Sequence, residues 1–279
     1  MIVQERVEFN KKHIDMMLQR NKRCGIPCNL DNPQTIQEKL MWLNIYDADP
    51  LKTECADKLL VKKYAERVIG KDISVKNLIV WNSVDEIDFD KLPDKFVLKC
   101  NHGSGMNIIV KDKSKMNIPD VNKKLDWWMH DDFSMRNGFE SHYHWIERKI
   151  FAEELIGFNV TDYKFLCFNG EPKYLQIISD RNNTNRRLNY YDMDLNKCVG
   201  LSRTDFPANY NIDDATPKFF DVMVEYAKKL SEPFKFVRVD FYETYESVLL
   251  GELTFTPGAF SFRYTNAEDN YKMGDLLKI

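Results

Sequence analysis

Long hydrophobic runs are missing from this chain. No segment approaches the roughly 18 consecutive apolar residues of a membrane-spanning helix. The first stretch, MIVQERVEFNKKHIDMMLQRNKR, scatters charges through its apolar positions, so it holds no signal-peptide core. A dominant charge is missing too. The 40 Lys+Arg face 43 Asp+Glu, a formal net charge of −3, which speaks against a chain whose main task is to coat nucleic acid or an anionic membrane. The six cysteines (Cys24, Cys28, Cys55, Cys100, Cys167 and Cys198) include no C-x-x-C pair. Scattered thiols without an export signal point to free cysteines in a reducing cytoplasm. There is no G-x-x-x-x-G-K-[ST] loop and no G-x-S-x-G elbow, which excludes a Walker-type phosphate loop and a hydrolase nucleophile elbow. Internal repeats and low-complexity linkers are absent as well.

What is present fits a globular chain of ordinary composition, 43% hydrophobic and 30% charged over 279 residues. A chain of this length buries roughly three quarters of its unfolded surface and needs no disulfide or metal to fold. The periodicity predicts helices over 4–23, 34–46 and 57–68, the second opened by Asn32-Pro33 and the third ended by Gly70. Ile36, Leu40 and Leu43 fall on one side of the second helix. From Ile73 the period shortens. SVKNLIVW, KFVLKC, NIIVKD, KIFAEELI, DYKFLCF, GEPKYLQIISD and RRLNYYD read as strands, with Asn169-Gly170 as a hairpin turn. Helices are expected over 119–130, 214–230 and 267–278. Mixed hairpins and helices indicate an α+β chain rather than a doubly wound parallel sheet. It divides into a helical segment 1–70, a first lobe 71–149 and a second lobe 150–279.

The segment FVRVDFYETYESVLLGELTFTPG carries the most chemistry. A hairpin turning at Glu246 sets Asp240 opposite Glu252 and Arg238 opposite Thr254, all four on one face. Val237, Val239, Phe241, Leu253 and Phe255 take the other face and enter the core. Two carboxylates directly opposite destabilise a sheet unless something compensates. Two compensations are open. Oxygen ligands without a neighbouring His or Cys suit a hard cation such as Mg²⁺. Alternatively, Asp240 pairs with Arg238 or another cation at a solvated face.

Two weaker features accompany it. In KFVLKCNHGSGMNIIVKD, two strand-like runs flank His102-Gly103-Ser104-Gly105. Glycines there let backbone N–H groups turn toward an anion, and Lys99 ends the incoming strand as a point charge that can reach a phosphate. A plain hairpin turn is the bland alternative. In IFAEELIGFNVTDYKFLCF, Glu153-Glu154 closes a strand, and Lys164 sits in an apolar strand between Tyr163 and Phe165. Such a lysine needs an anionic partner or must snorkel from a strand edge.

Taken in order, Lys99 with its Gly-rich loop, Glu153-Glu154, Lys164, Asp240, and Glu252-x-Thr254-x-x-Pro257-Gly258 resemble the ATP-grasp superfamily. The wording is most similar to the TupA-like ATP-grasp family, named for teichuronopeptide biosynthesis. The resemblance extends through NPQTIQEKLMWLNIYD and DKLLVKKYAERVIGKD and covers nearly the whole chain. It implies two α+β lobes enclosing ATP, preceded by the helical segment. It implies that Lys99 and Lys164 contact phosphates, that the loop His102, Gly103, Ser104, Gly105 closes over them, and that Glu153, Glu154 and Leu155 lie along adenine and ribose. Asp240 and Glu252 would bind Mg²⁺, with Thr254 standing where the family pattern has Asn. The implied reaction is ADP-forming ligation of a carboxylate to an amine through an acyl phosphate, with Lys99, Lys164 and Arg238 offsetting charge. The family name adds the joining of an amino acid to a uronic acid or peptidyl group of a surface polysaccharide. The implied cofactors are ATP and Mg²⁺, the partners are a small-molecule or saccharide acceptor and an amine donor, and neither nucleic acid nor a transmembrane segment is expected.

Rival readings are a glycosyltransferase, on the D-x-D matches Asp47-Ala-Asp49 and Asp192-Met-Asp194, and a phosphotransferase using the same ATP site. A third is a binding module without catalysis. His142 and His144 alternate on a supposed strand face as weak zinc ligands. Trp127, Trp128, Phe133, Tyr143 and Trp145 read as packing before a sugar platform. Arg181, Arg186 and Arg187 read as a solvated loop before an anion site.

Overall fold

The structure, a computed structural model, describes residues 2–157, 161–179, 187–206, 208–211 and 214–279. Five helices fill the first 69 residues. Helices α1 (Val3–Lys11) and α2 (Ile14–Arg23) replace the single helix expected over 4–23. The break falls at His13, whose Nδ1 lies 3.1 Å from the Phe9 carbonyl and whose ring stacks on Phe139 at 4.1 Å. Tertiary packing thus overrides a local helical pattern. Helix α3 (Ile36–Tyr46) starts at Thr35, whose hydroxyl accepts from the Glu38 N–H. The Glu38 carboxylate in turn accepts from the backbone N–H groups of Asn29, Gln34 and Thr35, each at 2.8 Å. Ile36, Leu40 and Leu43 are buried as their spacing predicts. Helix α4 (Pro50–Ala56), capped by Asp49, was not legible in the pattern; α5 (Leu60–Ile69) ends at Gly70 in the left-handed region, φ 84°.

Strands β1 (Asn77–Trp81), β2 (Phe96–Cys100) and β3 (Asn107–Val110) precede helix α6 (Ile118–His130) and two short turns of helix, α7 (Phe133–Arg136) and α8 (Ser141–His144). Strand β4 (Ile150–Glu153) then returns between β1 and β2, giving a four-stranded antiparallel sheet of order β1-β4-β2-β3. The boundary expected between residues 149 and 150 therefore cuts the first sheet, because β4 hydrogen-bonds to strands that precede it by about 50 residues or more. The second sheet has order β7-β6-β5-β8-β9, from β5 (Asp162–Phe168), β6 (Glu171–Ser179), β7 (Arg187–Tyr191), β8 (Phe236–Glu243) and β9 (Val248–Thr254). Asn169 and Gly170 join β5 to β6 with φ of 51° and 80°, the positive pair of a type I′ turn. Helix α9 (Phe220–Ser231) begins later than the expected 214, and α10 (Ala267–Asp275) closes the fold. Among the described residues no helix is long and apolar enough to cross a membrane.

The second sheet is covered on both faces, which is why every residue of β5 is buried. Tyr163, Phe165, Cys167, Val237, Val239 and Phe241 face α9 and join one core. Leu166, Phe168 and Phe236 take the opposite face and pack with α2, α3 and α10. Lys164, Arg238 and Asp240 share that opposite face by the two-residue period, so one sheet face is apolar at one end and charged at the other.

The stretch after α7 is pinned to α3 by Asn44. Its Nδ2 donates to the Phe139 carbonyl at 3.0 Å, and its Oδ1 accepts from the Ser141 N–H and hydroxyl, both at 2.9 Å. Phe139 is buried with φ 74°, a left-handed conformation costly for a non-glycine residue. Asn44→Ala strands these buried groups and is expected to lower unfolding free energy by about 2–4 kcal/mol. Urea denaturation checks it; a loss under about 1 kcal/mol means the segment is held by something else.

Candidate active site

Strands β8 and β9 pair with Arg238 opposite Thr254 and Asp240 opposite Glu252, the register expected from the hairpin pattern. One position further the register shifts, so that Phe241 faces Leu250. The extra residue is Gly251. A Cβ there would stand 3.0 Å from the Tyr242 ring and 3.1 Å from the Asp240 carbonyl oxygen. A bulge thus lies beside the two carboxylates.

Of the two compensations open for the facing acids, the structure holds the pairing with a cation, with one change. Arg238 grips Asp240 in a fork, Nε to Oδ1 at 2.6 Å and Nη2 to Oδ2 at 2.7 Å. The same Nη2 donates to Glu252 Oε1 at 2.9 Å and to the Thr254 hydroxyl at 3.0 Å. This pair is not solvated, since Asp240 is only 2% exposed. Lys164 is 4% exposed and also pairs with Asp240, with Asp162 at 3.7 Å. The strand-edge snorkel reading of Lys164 fails because β5 is the central strand and Lys164 faces Asp240 directly across the ladder. Burial pushes the Glu252 carboxyl up, but Arg238, Lys164 and Lys58 outweigh it and bring the group down to about 2. Two carboxylates and a hydroxyl are hard oxygen donors of the kind Mg²⁺ takes. The Arg238 guanidinium already shows that these oxygens accommodate positive charge between them.

A second charged group belongs to the first sheet. Lys99 pairs with Glu153, and Lys62 Nζ lies 3.2 Å from the other oxygen of the same carboxylate. Glu153 is 5% exposed and wedged between these two lysines. The reason is that β4 runs inside the sheet, with its last residue next to β2 and β1. Glu154 is exposed and stands 3.6 Å from Lys76; Leu155 is half-buried. Lys58 bonds the Gly103 carbonyl and feels Glu252 and Lys99 together, so it links the two charged groups. Neither Lys58 nor Lys62 was singled out from the sequence, where the run DKLLVK reads as the start of a helix within one of the stretches that carry the resemblance.

The Gly-rich loop is more firmly anchored than a free hairpin tip. A Cβ on Gly103 would come 2.6 Å from the Phe133 ring, and Gly105 has φ 73°. His102 does not face outward with Ser104. It is buried with Nε2 3.0 Å from the Trp128 carbonyl, and burial lowers its pKa to about 4, so the ring is neutral. It ties the loop to α6. Ser104 is exposed and opens onto a cavity of about 280 Å³ that also reaches Arg238, Glu252, Arg20, Glu140 and Thr256. No sequence pattern pointed to Arg20 or Glu140.

The lesser candidates resolve into structure. Asp47 pairs with Lys52 at 2.7 Å and Asp49 caps α4. Asp192 accepts from the N–H groups of Asp194 and Asn196 in its own turn. Both D-x-D matches are thus spent locally. His142 and His144 lie on a helical turn instead of a strand, and among the described residues no group of three or more His, Cys, Asp or Glu side chains is gathered for a metal. Trp128, Phe133 and Tyr143 are core; Trp127 is exposed beneath the Arg136 guanidinium. Arg187 is buried and pairs with Asp214 at 2.9 Å, while Arg181 and Arg186 lie outside the described residues. All six cysteines are free.

A family model described as TupA-like ATPgrasp matches residues 38–278. A search among curated proteins found no match. Among solved structures, the chain is similar to D-alanine–D-alanine ligase from Helicobacter pylori, at 16% identity and TM-score 0.49, covering 87% of this chain and 69% of that one. It is similar to the Bacillus anthracis D-alanine–D-alanine ligase complexed with ATP, at 15% identity and TM-score 0.45, covering 72% and 55%. It is similar to N5-carboxyaminoimidazole synthetase from Staphylococcus aureus complexed with ADP, at 12% identity and TM-score 0.38, covering 72% and 44%. The chain thus spans little more than half the length of the Bacillus anthracis enzyme.

Glu140 makes a pH signature. Burial raises its carboxyl from 4.5 to about 7, with Glu252 acting in the same direction and Thr256 and Arg20 opposing. The folded state therefore binds this proton more tightly than the unfolded state. Its contribution is full below about pH 4.5 and is lost as pH rises toward 7, about 3 kcal/mol at most. Unfolding free energies across that window should fall for the native chain and stay flatter for Glu140→Gln. Equal slopes would refute the assignment.

Proposed function

The chain belongs to the TupA-like ATP-grasp family, and from that membership we propose that it is an ATP-dependent, ADP-forming ligase joining a carboxylate to an amine. The observation that carries this reading is the face-to-face pair Asp240 and Glu252, with Arg238 and Lys164 on the same sheet face, Lys99 on the first sheet and Lys58 approaching from the turn before α5. That is an arrangement of acids for a hard cation beside bases for a polyphosphate.

In the proposed reaction, ATP lies between the two sheets. Lys99, Lys164 and Lys58 neutralise its phosphates, and Ser104 with the backbone of Gly103 and Gly105 closes over them. Lys62 gives Glu153 an alternative partner when Lys99 turns to a phosphate. Asp240, Glu252 and Thr254 would hold Mg²⁺, which supplies charge neutralisation and orientation of the phosphate oxygens. The substrate carboxylate takes the γ-phosphoryl group, ADP leaves, and the amine attacks the acyl phosphate. The C–N bond forms as the C–O bond to phosphate breaks. No side-chain nucleophile is required; the protein contributes alignment and electrostatic stabilisation. Arg238 would offset negative charge developing beside Asp240 and Glu252. The family name extends the proposal to an amino acid joined to a uronic acid or peptidyl group in surface-polysaccharide synthesis, on the cytoplasmic side where ATP is available.

The test is ADP release with purified protein, a divalent cation, and a panel of uronic acids and amino acids. ADP should form only when both a carboxylate and an amine are supplied. Glu252→Gln should lower the rate by about 10²–10³-fold. A phosphorylated product formed without any amine would identify a phosphotransferase instead, and stabilisation by nucleotide-sugar but not ATP a glycosyltransferase.

A further inference from the structure

The joint between α4 and α5 reaches the foot of the glycine-rich loop through two buried side chains. Asp57 lies in that joint and Asn101 directly follows β2; they are 4% and 0% exposed. Asn101 Nδ2 donates to Asp57 Oδ2 at 2.8 Å and to the Glu147 carbonyl at 2.9 Å, and its Oδ1 accepts from the Lys149 N–H at 2.7 Å. These contacts fix which way the amide points. The other oxygen of Asp57 accepts from the N–H groups of Leu59 and Leu60, at 2.8 and 3.3 Å, where α5 begins. Capping a helix does not require such burial. Asp49 caps α4 from an exposed position, and a buried carboxylate is costly unless hydrogen bonds replace its water. What the burial of Asp57 adds is the contact to Asn101.

Lys58, the next residue, holds the same loop twice. Its backbone N–H donates to the Asn101 carbonyl at 3.2 Å, and its ammonium bonds the Gly103 carbonyl. Burial lowers the pKa of that ammonium, and the Glu252 and Asp57 carboxylates oppose the shift. A peptide unit is planar and trans, so a carbonyl drawn to Lys58 turns the N–H that follows, that of Ser104, the opposite way. Among the described residues the N–H groups of Gly103, Ser104 and Gly105 meet no hydrogen-bond partner. Ser104 and Gly105 are exposed. Successive free N–H groups in a turn make a concave donor for an anion.

We propose that Asp57 and Asn101 are positioning residues of the nucleotide site: they join the start of α5 to the glycine-rich loop, so that Lys58 holds the Gly103 carbonyl and the loop N–H groups stay turned toward the phosphates. The inference rests on the reading of Lys58 and the loop as phosphate contacts given above. Asp57 and Asn101 act through Lys58 and the loop backbone, not by touching the nucleotide. Asp57 fixes where the Lys58 stem leaves the chain and supplies negative field that favours its ammonium. Asn101 passes the same constraint to the loop, because its side chain is tied to Asp57 on one side and to the chain entering β4 on the other. A helical joint and a sheet 44 positions apart on the chain are thereby held in one geometry.

The test is titration of the whole chain with a non-hydrolysable ATP analogue and Mg²⁺, and with adenosine, which lacks the phosphates, measured by its displacement of the analogue. Asp57→Asn sets one amide against another; Asn101→Ala cuts the link to the loop while keeping both α5 contacts of Asp57. Each should weaken the ATP analogue by about tenfold, the loss of one charge-assisted contact, with the affinity for adenosine unchanged. Lys58→Met should do the same, and adding Asp57→Asn to it should weaken binding little further, because residues acting through one contact are not additive. Support of the fold alone would move analogue and adenosine together, or neither. Far-UV circular dichroism shows which variants are folded, and either Asp57→Asn or Asn101→Ala suffices. If the native chain binds the analogue but the folded variants keep its affinity, lose adenosine equally, or combine additively with Lys58→Met, the positioning assignment falls. It falls too if neither variant folds. If the native chain does not bind the ATP analogue, the nucleotide reading itself fails and takes this inference with it.

Discussion

Asp240 is a buried carboxylate with a second carboxylate on the adjoining strand, and the surrounding structure is arranged around making that tolerable. Water is replaced by a forked contact from Arg238, a lysine directly across the ladder, and a second lysine near Glu252. Isolated burial of such a charge would cost several kcal/mol, and removing one partner of a buried pair typically costs about 3–5 kcal/mol. The sheet order follows from this need. Only with β5 placed between β6 and β8 does Lys164 stand opposite Asp240. A ring of charge on one sheet face must then be kept apart from the apolar part of the same face, and Leu166, Phe168 and Phe236 supply that part under α3 and α10.

The helical first segment is more than a lead-in. Helix α2 supplies Arg20 to the cavity, α3 supplies Asn44 to pin the Phe139–Ser141 segment, and α5 supplies Lys62 to Glu153, with Lys58 just before it. The two sheets therefore meet through side chains from a part of the chain without strands. Glu153 and Glu252 each sit at the centre of such a meeting, one between two lysines and the other among Arg238, Lys164 and Lys58. Those acids hold basic groups in place that polyphosphate could recruit.

Local patterns made much of this legible. The alternation around Glu246 yielded the Asp240–Glu252 pairing, and the Asn169-Gly170 dipeptide yielded the β5–β6 turn, because both depend on neighbours within one hairpin. What was not legible lies where distant contacts decide. The first helix breaks at His13 because its ring stacks on Phe139. Glu153 turns to lysines because β4 inserts into a sheet formed by earlier strands. His102 turns inward because the Trp128 carbonyl is there to meet it.

By itself, the sequence determined the α+β class, the carboxylate hairpin with its register, the glycine loop, and the family to which the order of these motifs belongs. Each is written in residues close together or in a linear order, where side-chain period and turn chemistry act directly. Tertiary structure alone decided that Arg238 and Lys164 share Asp240, that Lys58 joins the two charged groups, and that Arg20 and Glu140 face one cavity. Arg20 and Glu140 are 120 positions apart on the chain. Their proximity comes from burial of apolar faces elsewhere, which leaves no mark in the residues around either of them.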